Sequence, residues 1–339
     1  MTYVLQLHRL SMKGGTRDLM GAGAGSQRPE VVQSPIFSYI LQLGQHLHLR
    51  PRERKLWPSS GAAIRAGLTS WALPPTDIER SMTNPRRVLF VSGEVSPFAK
   101  VSDLADLVRQ LPEKMQESGE FEVRIMMPRY GTISERRNRL HEVIRLSGTE
   151  VQMGGQKETL KVKVASIPGI RLQVYFMDNK TYFKRKGVFS DKTGTKFDDN
   201  AERALFFGRA SIETIKNLGW EPDIVHAFGT MSGLVPMLLR TEYASDPLFD
   251  DVKTVFTPCK SEVEAVFSSE EAAHFGVPTA EEAADMHVTE LGIAYADLIA
   301  FPAGQQNGVA DATEFPLSGD DLLDFARGMY EQVSNGVPA

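Results

Sequence analysis

The chain has 339 residues, 38 Lys and Arg against 43 Asp and Glu, and a formal net charge of −5. With 42% hydrophobic and 24% charged residues, global disorder, a collagen-like fibre and a disulfide scaffold are excluded; no stretch approaches the ~20 apolar residues of a membrane-spanning helix. A mildly acidic balance argues against non-specific nucleic-acid binding, and the lone Cys259 fits a reducing, cytoplasmic compartment.

The charge is unevenly placed: residues 1–81 carry +5 and residues 82–339 carry −10. Three readings of 1–81 compete. It is a disordered or weakly helical extension; or an Arg-rich targeting peptide, although it has neither a run of amphipathic turns nor a signal-peptide core; or translation naturally starts at Met82. The expected globular domain is 82–339.

From residue 87 the pattern is regular. Val88–Ser92 is a short continuous apolar run, as in a buried parallel strand. Leu104, Leu107, Val108, Leu111 and Met115 follow at helical spacing, and Val123–Pro128 is the next strand. Runs at 142–152 and 158–165, separated by Gly154-Gly155, predict an inserted hairpin. Arg171–Met177 reads as a strand, Asn200–Leu218 as a long helix, Asp223–Phe228 and Val252–Thr257 as buried strands, and Leu322–Val333 as a closing helix. Strands alternating with helices predict a single α/β, doubly wound, Rossmann-like open parallel sheet.

In such sheets ligands sit beyond the carboxyl ends of the strands. That rule selects the loops 92–103, 128–132, 226–232 and 257–261. In the first, Glu94 and Lys100 precede a helix whose N-terminus suits a phosphate. A phosphate site wants glycine next, so that the backbone can approach closely. Ser102 and Asp103 stand there instead and read as a helix N-cap. A carboxylate at Asp103 would oppose a phosphate ~4 Å away by about 4 kcal/mol at an intermediate dielectric.

Val88–Leu111 (VLFVSGEVSPFAKVSDLADLVRQL) resembles the start of bacterial glycogen synthases and plant starch synthases: a strand, then E-x-x-P-x-x-K-T-G-G-L-G-D-V, then a helix ending in L-P. Glu94, Pro97, Lys100, Leu104, Asp106 and Leu111-Pro112 match. Pro128–Gly131 is similar to P-R-Y-G in that family, and the segment from Val174 to Arg185 to Y-F-x-D-N…F-x-R. Asp199–Arg203 is similar to D-N-x-x-R, and Trp220–His226 to W-x-P-D-I-V-H. The resemblance implies one lobe of a two-lobed GT-B-type glycosyltransferase that moves glucose from ADP-glucose to an α-1,4-glucan. Such chemistry needs cations on the leaving diphosphate and dipoles beside the sugar. On this basis Lys100, Glu94, Tyr175 and His226 are the expected substrate-binding residues, and no cofactor is expected.

The departures are informative. K-T-G-G becomes Lys100-Val-Ser-Asp103. H-x-H-D-W-H becomes His226-Ala-Phe-Gly-Thr-Met231, placing Gly229 at the acid position and Met231 at the later histidine. T-x-H-N-x-x-x-Q-G becomes Thr257-Pro-Cys-Lys-Ser-Glu-Val-Glu-Ala265, with Cys259 and Lys260 at the histidine and asparagine. The chain also ends about where the first lobe of the family ends, so the second lobe is expected to be absent. Core pattern tolerates drift, whereas these positions carry chemistry.

Each residue also has a bland reading. Lys100 is a solvated lysine, His226 a hydrogen-bonded structural residue, and Cys259 a small buried hydrophobe. A nucleophilic Cys259 would need a base, with His274 and His287 as candidates by type. Tyr175 and Tyr182 stack on sugars or pack in the core, and Asp199 with Arg203 forms a helical pair. No His/Cys cluster has metal-ligand spacing.

Three functions follow: an active glucosyltransferase, a separate small-molecule enzyme using Cys259, and a pseudoenzyme. The last keeps an α-1,4-glucan or sugar-nucleotide surface, or serves as a regulatory partner, with a second-lobe polypeptide as one possible partner. No membrane partner is expected.

Overall fold

A computed structural model describes residues 85–259, 262–278, 285–305 and 313–335. The 1–81 extension and the boundary expected at Met82 lie outside the described residues.

The fold begins with β1 (Arg86–Ser92), α1 (Leu104–Ser118) and β2 (Phe121–Pro128). Strands β1 and β2 pair in parallel, with Phe90 opposite Ile125. Helix α1 forms because Leu104, Leu107, Val108, Leu111 and Met115 share one buried stripe. The family pattern places a helix end at Leu111-Pro112, but the helix runs through Pro112 to Ser118. Proline breaks a helix by its missing N–H and its ring; here the buried stripe on both sides of it outweighs that cost.

A short α2 (Glu135–Asn138) leads to β3 (His141–Glu142), β4 (Thr149–Met153) and β5 (Gln156–Ser166). The expected hairpin is present, with β4 antiparallel to β5 around Gly154-Gly155. Its first arm is shorter than the sequence suggests, because a 3-10 turn at Ile144–Leu146 separates β3 from β4. Next come β6 (Gln173–Asp178), α3 (Lys180–Phe183) and α4 (Asn200–Leu218). Helix α4 has its expected bounds and is buried nearly all round, so it runs through the core. Its Arg203 guanidinium bonds the carbonyls of Tyr182 (2.8 Å) and Val188 (2.5 Å) and the side chain of Asn200 (2.7 Å). Asp199 pairs with Arg185 instead. The expected Asp199–Arg203 pair is thereby corrected: the Nε and Nη1 of this buried guanidinium are held by the carbonyls of Tyr182 and Val188 and by Asn200, while its Nη2 makes no hydrogen bond.

The chain continues through β7 (Ile224–Phe228), α5 (Val235–Arg240), β8 (Lys253–Thr257), β9 (Val266–Ser268), α6 (Ser269–Phe275) and β10 (Asp285–His287). It ends with α7 (Val288–Tyr295), β11 (Leu298–Pro302), β12 (Thr313–Phe315) and α8 (Leu322–Asn335).

The main sheet runs β12-β11-β8-β7-β1-β2-β6-β5-β3, with β4 on β5, while β9 and β10 form a separate ribbon. From β12 to β6 every neighbour is parallel; β3, β4 and β5 are antiparallel. The sheet is therefore doubly wound and mostly parallel, with an antiparallel edge. The chain moves outward from β1 through β2 to β6, then returns to lay β7 on the other side of β1. That reversal makes the crevice beyond the carboxyl ends of β1 and β7 the topological switch point, where ligands of such sheets bind. Phe90, Ile125, Phe176, Phe207, Phe228 and Phe256 are fully buried around these strands. Among the described residues no helix is long and apolar enough to cross a membrane.

Candidate functional site

Three loops meet at the switch point. The loop after β1 carries Glu94, whose side chain turns back under the head of α1. Its carboxylate accepts hydrogen bonds from the backbone N–H of Val101 and of Ser102 (2.9 Å), and from the Ser102 hydroxyl. Glu94 is 1% exposed. The N–H donors expected to meet a phosphate are therefore held by a carboxylate of the same loop. The sequence reading assigned that role to Asp103, and the structure corrects it. Asp103 is exposed and makes no capping bond, while Ser102 accepts from the N–H of Leu104 (3.1 Å).

Lys100 points elsewhere. Its ammonium lies 2.5 Å from Asp106, which also accepts from Ser96 (2.6 Å). The Asp106 hydrogen bond holds the Lys100 pKa above its ordinary value, and the same bond lowers that of Asp106. Both side chains are largely solvated.

The loop after β7 turns at Gly229, with φ 72° and ψ 177°. That region is essentially open to glycine alone. A Cβ at Gly229 would also lie 2.5 Å from the carboxylate oxygens of Glu262. Glu262 follows β8 and accepts from the N–H of Thr230. Enclosure pushes its carboxyl up to about 8, and the neighbouring Glu94 charge adds to the rise, while the Thr230 N–H pulls the other way. A neutral carboxyl from the next loop thus covers the position where the family pattern has an acid. Met231 is fully buried and packs on Gly93. Beyond β2, Tyr130 is buried and donates to the carbonyl of Gly93 (2.8 Å). Gly131 fits only because it has no side chain: a Cβ there would meet the carbonyl oxygen of Lys184 at 1.9 Å.

His226 lies inside the core at 0% exposure. Its Nδ1 is 2.9 Å from the Tyr330 hydroxyl and its Nε2 is 2.8 Å from that of Thr257. The ring stacks on Phe228 at 3.8 Å, and burial holds its pKa well below the ordinary value. It is a neutral imidazole with both nitrogens engaged, and the expectation that it contacts substrate is corrected. Tyr175 lies near the amino end of β6, 3.5 Å from Arg124, at the opposite end of the strands from the switch point. Tyr182 packs on Phe206 at 5.0 Å.

Cys259 is buried. The bases proposed for it have other neighbours: His287 is 2.6 Å from Glu264, and His274 packs on Phe275 and over Gly154. Lys260 lies outside the described residues. Among the described residues no group of three or more His, Cys, Asp or Glu side chains is placed to hold a metal ion.

The switch point thus gathers Glu94, Ser102, Gly229, Thr230 and Glu262, with Lys100 on the same loop but paired to Asp106, while His226 and Tyr175 lie apart. Glu262 was missed because it falls in an unconstrained stretch of the family pattern; its one sequence signal is an acid just past a strand-end loop.

The family model described as "Starch synthase catalytic domain" matches residues 87–301. The chain belongs to this family. It is 49% identical over 172 residues to the glycogen synthase of Chlorobium limicola, covering 50% of this chain and 35% of that protein. It is 38% identical over 258 residues to the glycogen synthase of Chlorobaculum parvum, covering 74% of this chain and 53% of that one. The chain spans about half the length, or less, of these relatives. In fold it is similar to the catalytic domain of starch synthase IV from Arabidopsis thaliana, solved with ADP and acarbose. That match has a TM-score of 0.54 and 22% identity, and covers 64% of this chain and 45% of that one.

Proposed function

We propose that this starch synthase-type domain does not transfer glucose from ADP-glucose, and that it acts as a pseudoenzyme: an α-1,4-glucan-binding or regulatory partner in cytoplasmic glycogen metabolism. The observation that carries this reading is the internal occupation of the switch point. Glu94 holds the N–H groups of Val101 and Ser102, and Glu262 holds that of Thr230. A diphosphate placed there would meet the Glu94 carboxylate, which already occupies the N–H groups of the turn. Two like charges ~4 Å apart cost about 4 kcal/mol at an intermediate dielectric. The acid of the family pattern is also not restorable by substitution alone, since Gly229 sits in a glycine-only conformation under the Glu262 carboxyl.

Calorimetric titration of the full chain with ADP-glucose, ADP and maltoheptaose in parallel tests the proposal. The expected result is heat from maltoheptaose alone and no labelled glucose incorporated into glycogen. Micromolar binding of ADP-glucose, or incorporation of label, overturns it.

A further inference from the structure

At the edge of the sheet opposite the switch point, a cavity of about 220 Å³ opens between the end of α1 and the starts of β2 and β6. Gln116, Arg124, Arg171, Gln173 and Tyr175 line it, together with Glu122. None of these residues takes part in the switch-point loops.

Arg124 is set as a preorganised and underused fork. Its guanidinium lies 4.8 Å from the Trp220 ring centroid and 5.9 Å from that of Tyr175, which fixes its plane. Its polar contacts are long: 3.5 Å to the Tyr175 hydroxyl and 3.6 Å to Glu122. Glu122 is better engaged by the Trp220 ring N–H (2.7 Å) and by Arg87 (3.2 Å). The neighbouring carboxylate is therefore balanced from outside the cavity, and the Arg124 donors are left for something else. Arg171, exposed at the mouth, has no carboxylate partner among the described residues. One guanidinium from β2 and one from the turn just before β6 thus line one small space.

We propose that this cavity binds a small hydroxylated phosphomonoester, with the phosphate held by Arg124 and Arg171. Planar guanidinium forks match the oxygens of a phosphate and hold it bidentately. The volume equals roughly seven waters at about 30 Å³ each, so a phosphate leaves room for a monosaccharide-sized body. It is too small for a dinucleotide, since drug-sized pockets start at ~300 Å³. Gln116 and Gln173 supply amides at the rim for hydroxyl groups, and Tyr175 supplies a ring edge and a phenol. The Tyr175 that the family pattern singled out thereby has a place at a site distinct from the switch point.

The test is calorimetric titration of the full chain with glucose 6-phosphate and ribose 5-phosphate, with glucose and inorganic phosphate run separately. Trp220 fluorescence gives a second readout, because Arg124 stacks on that ring. The esters bind, glucose alone does not, and inorganic phosphate binds at least tenfold more weakly than the esters. Arg171→Gln and Arg124→Gln each weaken ester binding at least tenfold, whereas Lys100→Ala leaves it unchanged. Arg171 is exposed, so its variant keeps the test valid if Arg124→Gln fails to fold. Absence of ester binding at millimolar concentration, or wild-type affinity in Arg171→Gln, overturns the proposal.

Discussion

Replacing Glu262 by Gln tests whether a neutral carboxyl closes the switch point. In the folded chain this carboxyl is raised from 4.5 to about 8. The folded state therefore binds a proton that the unfolded state releases between those values. Stability is fully present below pH 4.5, falls as pH rises toward 8, and is flat above. The full displacement corresponds to about 5 kcal/mol at 1.4 kcal/mol per tenfold. Glu262 retains partial solvent contact, so screening leaves roughly half, about 2–3 kcal/mol. Glutamine mimics the protonated acid, still accepts from Thr230 and carries no charge. The expected result is equal stability of the two proteins at pH 4.5 and a Glu262→Gln protein more stable by about 2–3 kcal/mol at pH 8.5. At ~2–4 °C per kcal/mol for a domain of this size, that is a rise of roughly 5–10 °C in Tm. Thermal scans of both proteins across this range measure it, and the difference between them cancels the titrations that are not coupled to Glu262. A Glu262→Gln protein less stable than wild type at pH 8.5, or a difference that does not vary with pH, would refute the reasoning.

Other expectations follow from the same geometry. His226→Ala removes a stacked ring and orphans the hydroxyls of Tyr330 and Thr257, costing about 3–5 kcal/mol by urea midpoint. Because His226 stays neutral when folded, wild-type stability is lost as pH falls below about 6.5, where the unfolded chain takes up the proton; the variant lacks that acid-side loss. Gly131→Ala drives a methyl into the Lys184 carbonyl and is expected to cost at least ~3 kcal/mol or abolish soluble expression. Gly229→Asp destabilises strongly, and adding Glu262→Ala recovers only the steric part, leaving the backbone cost; a denaturation series on both proteins separates the two. Lys100→Ala leaves the thermal midpoint unchanged, since its partner Asp106 and the lysine itself are both solvated.

Losing glycines at Ser102 and Asp103 does more than remove room for a phosphate. The Ser102 hydroxyl both donates to Glu94 and caps the N–H of Leu104, so the loop closes on itself before α1 begins. A closed loop of this kind has its donors already satisfied, and a ligand must displace a charged, buried partner to use them. In the loop after β7 the N–H of Thr230 is likewise already taken, there by the Glu262 carboxyl.

Much of this was legible in the chain itself. Continuous apolar runs at Val88–Ser92, Val123–Pro128 and Ile224–Phe228 announced buried parallel strands, because a strand covered on both faces has no polar side to show. The stripe from Leu104 to Met115 and the bounds of α4 were equally plain, since helical periodicity is local. The ordered motifs from Glu94 to His226 carried the family. The short strands β9 to β12 were not legible: three to five residues hold too little pattern, and β11 takes its place in the sheet through β8, with Leu298 opposite Val255.

Tertiary structure alone decided which carboxylate fills the turn. Glu94 and Asp103 have equal charge, and the sequence pointed to the nearer residue. The folded loop buries the one eight positions away, where three donors converge on it, and leaves the other in water. Only the sheet order could bring Glu262 over Gly229, 33 residues apart, because that contact exists through β7 lying beside β8. Local propensity is written residue by residue, but desolvation and hydrogen-bond convergence belong to the assembled chain.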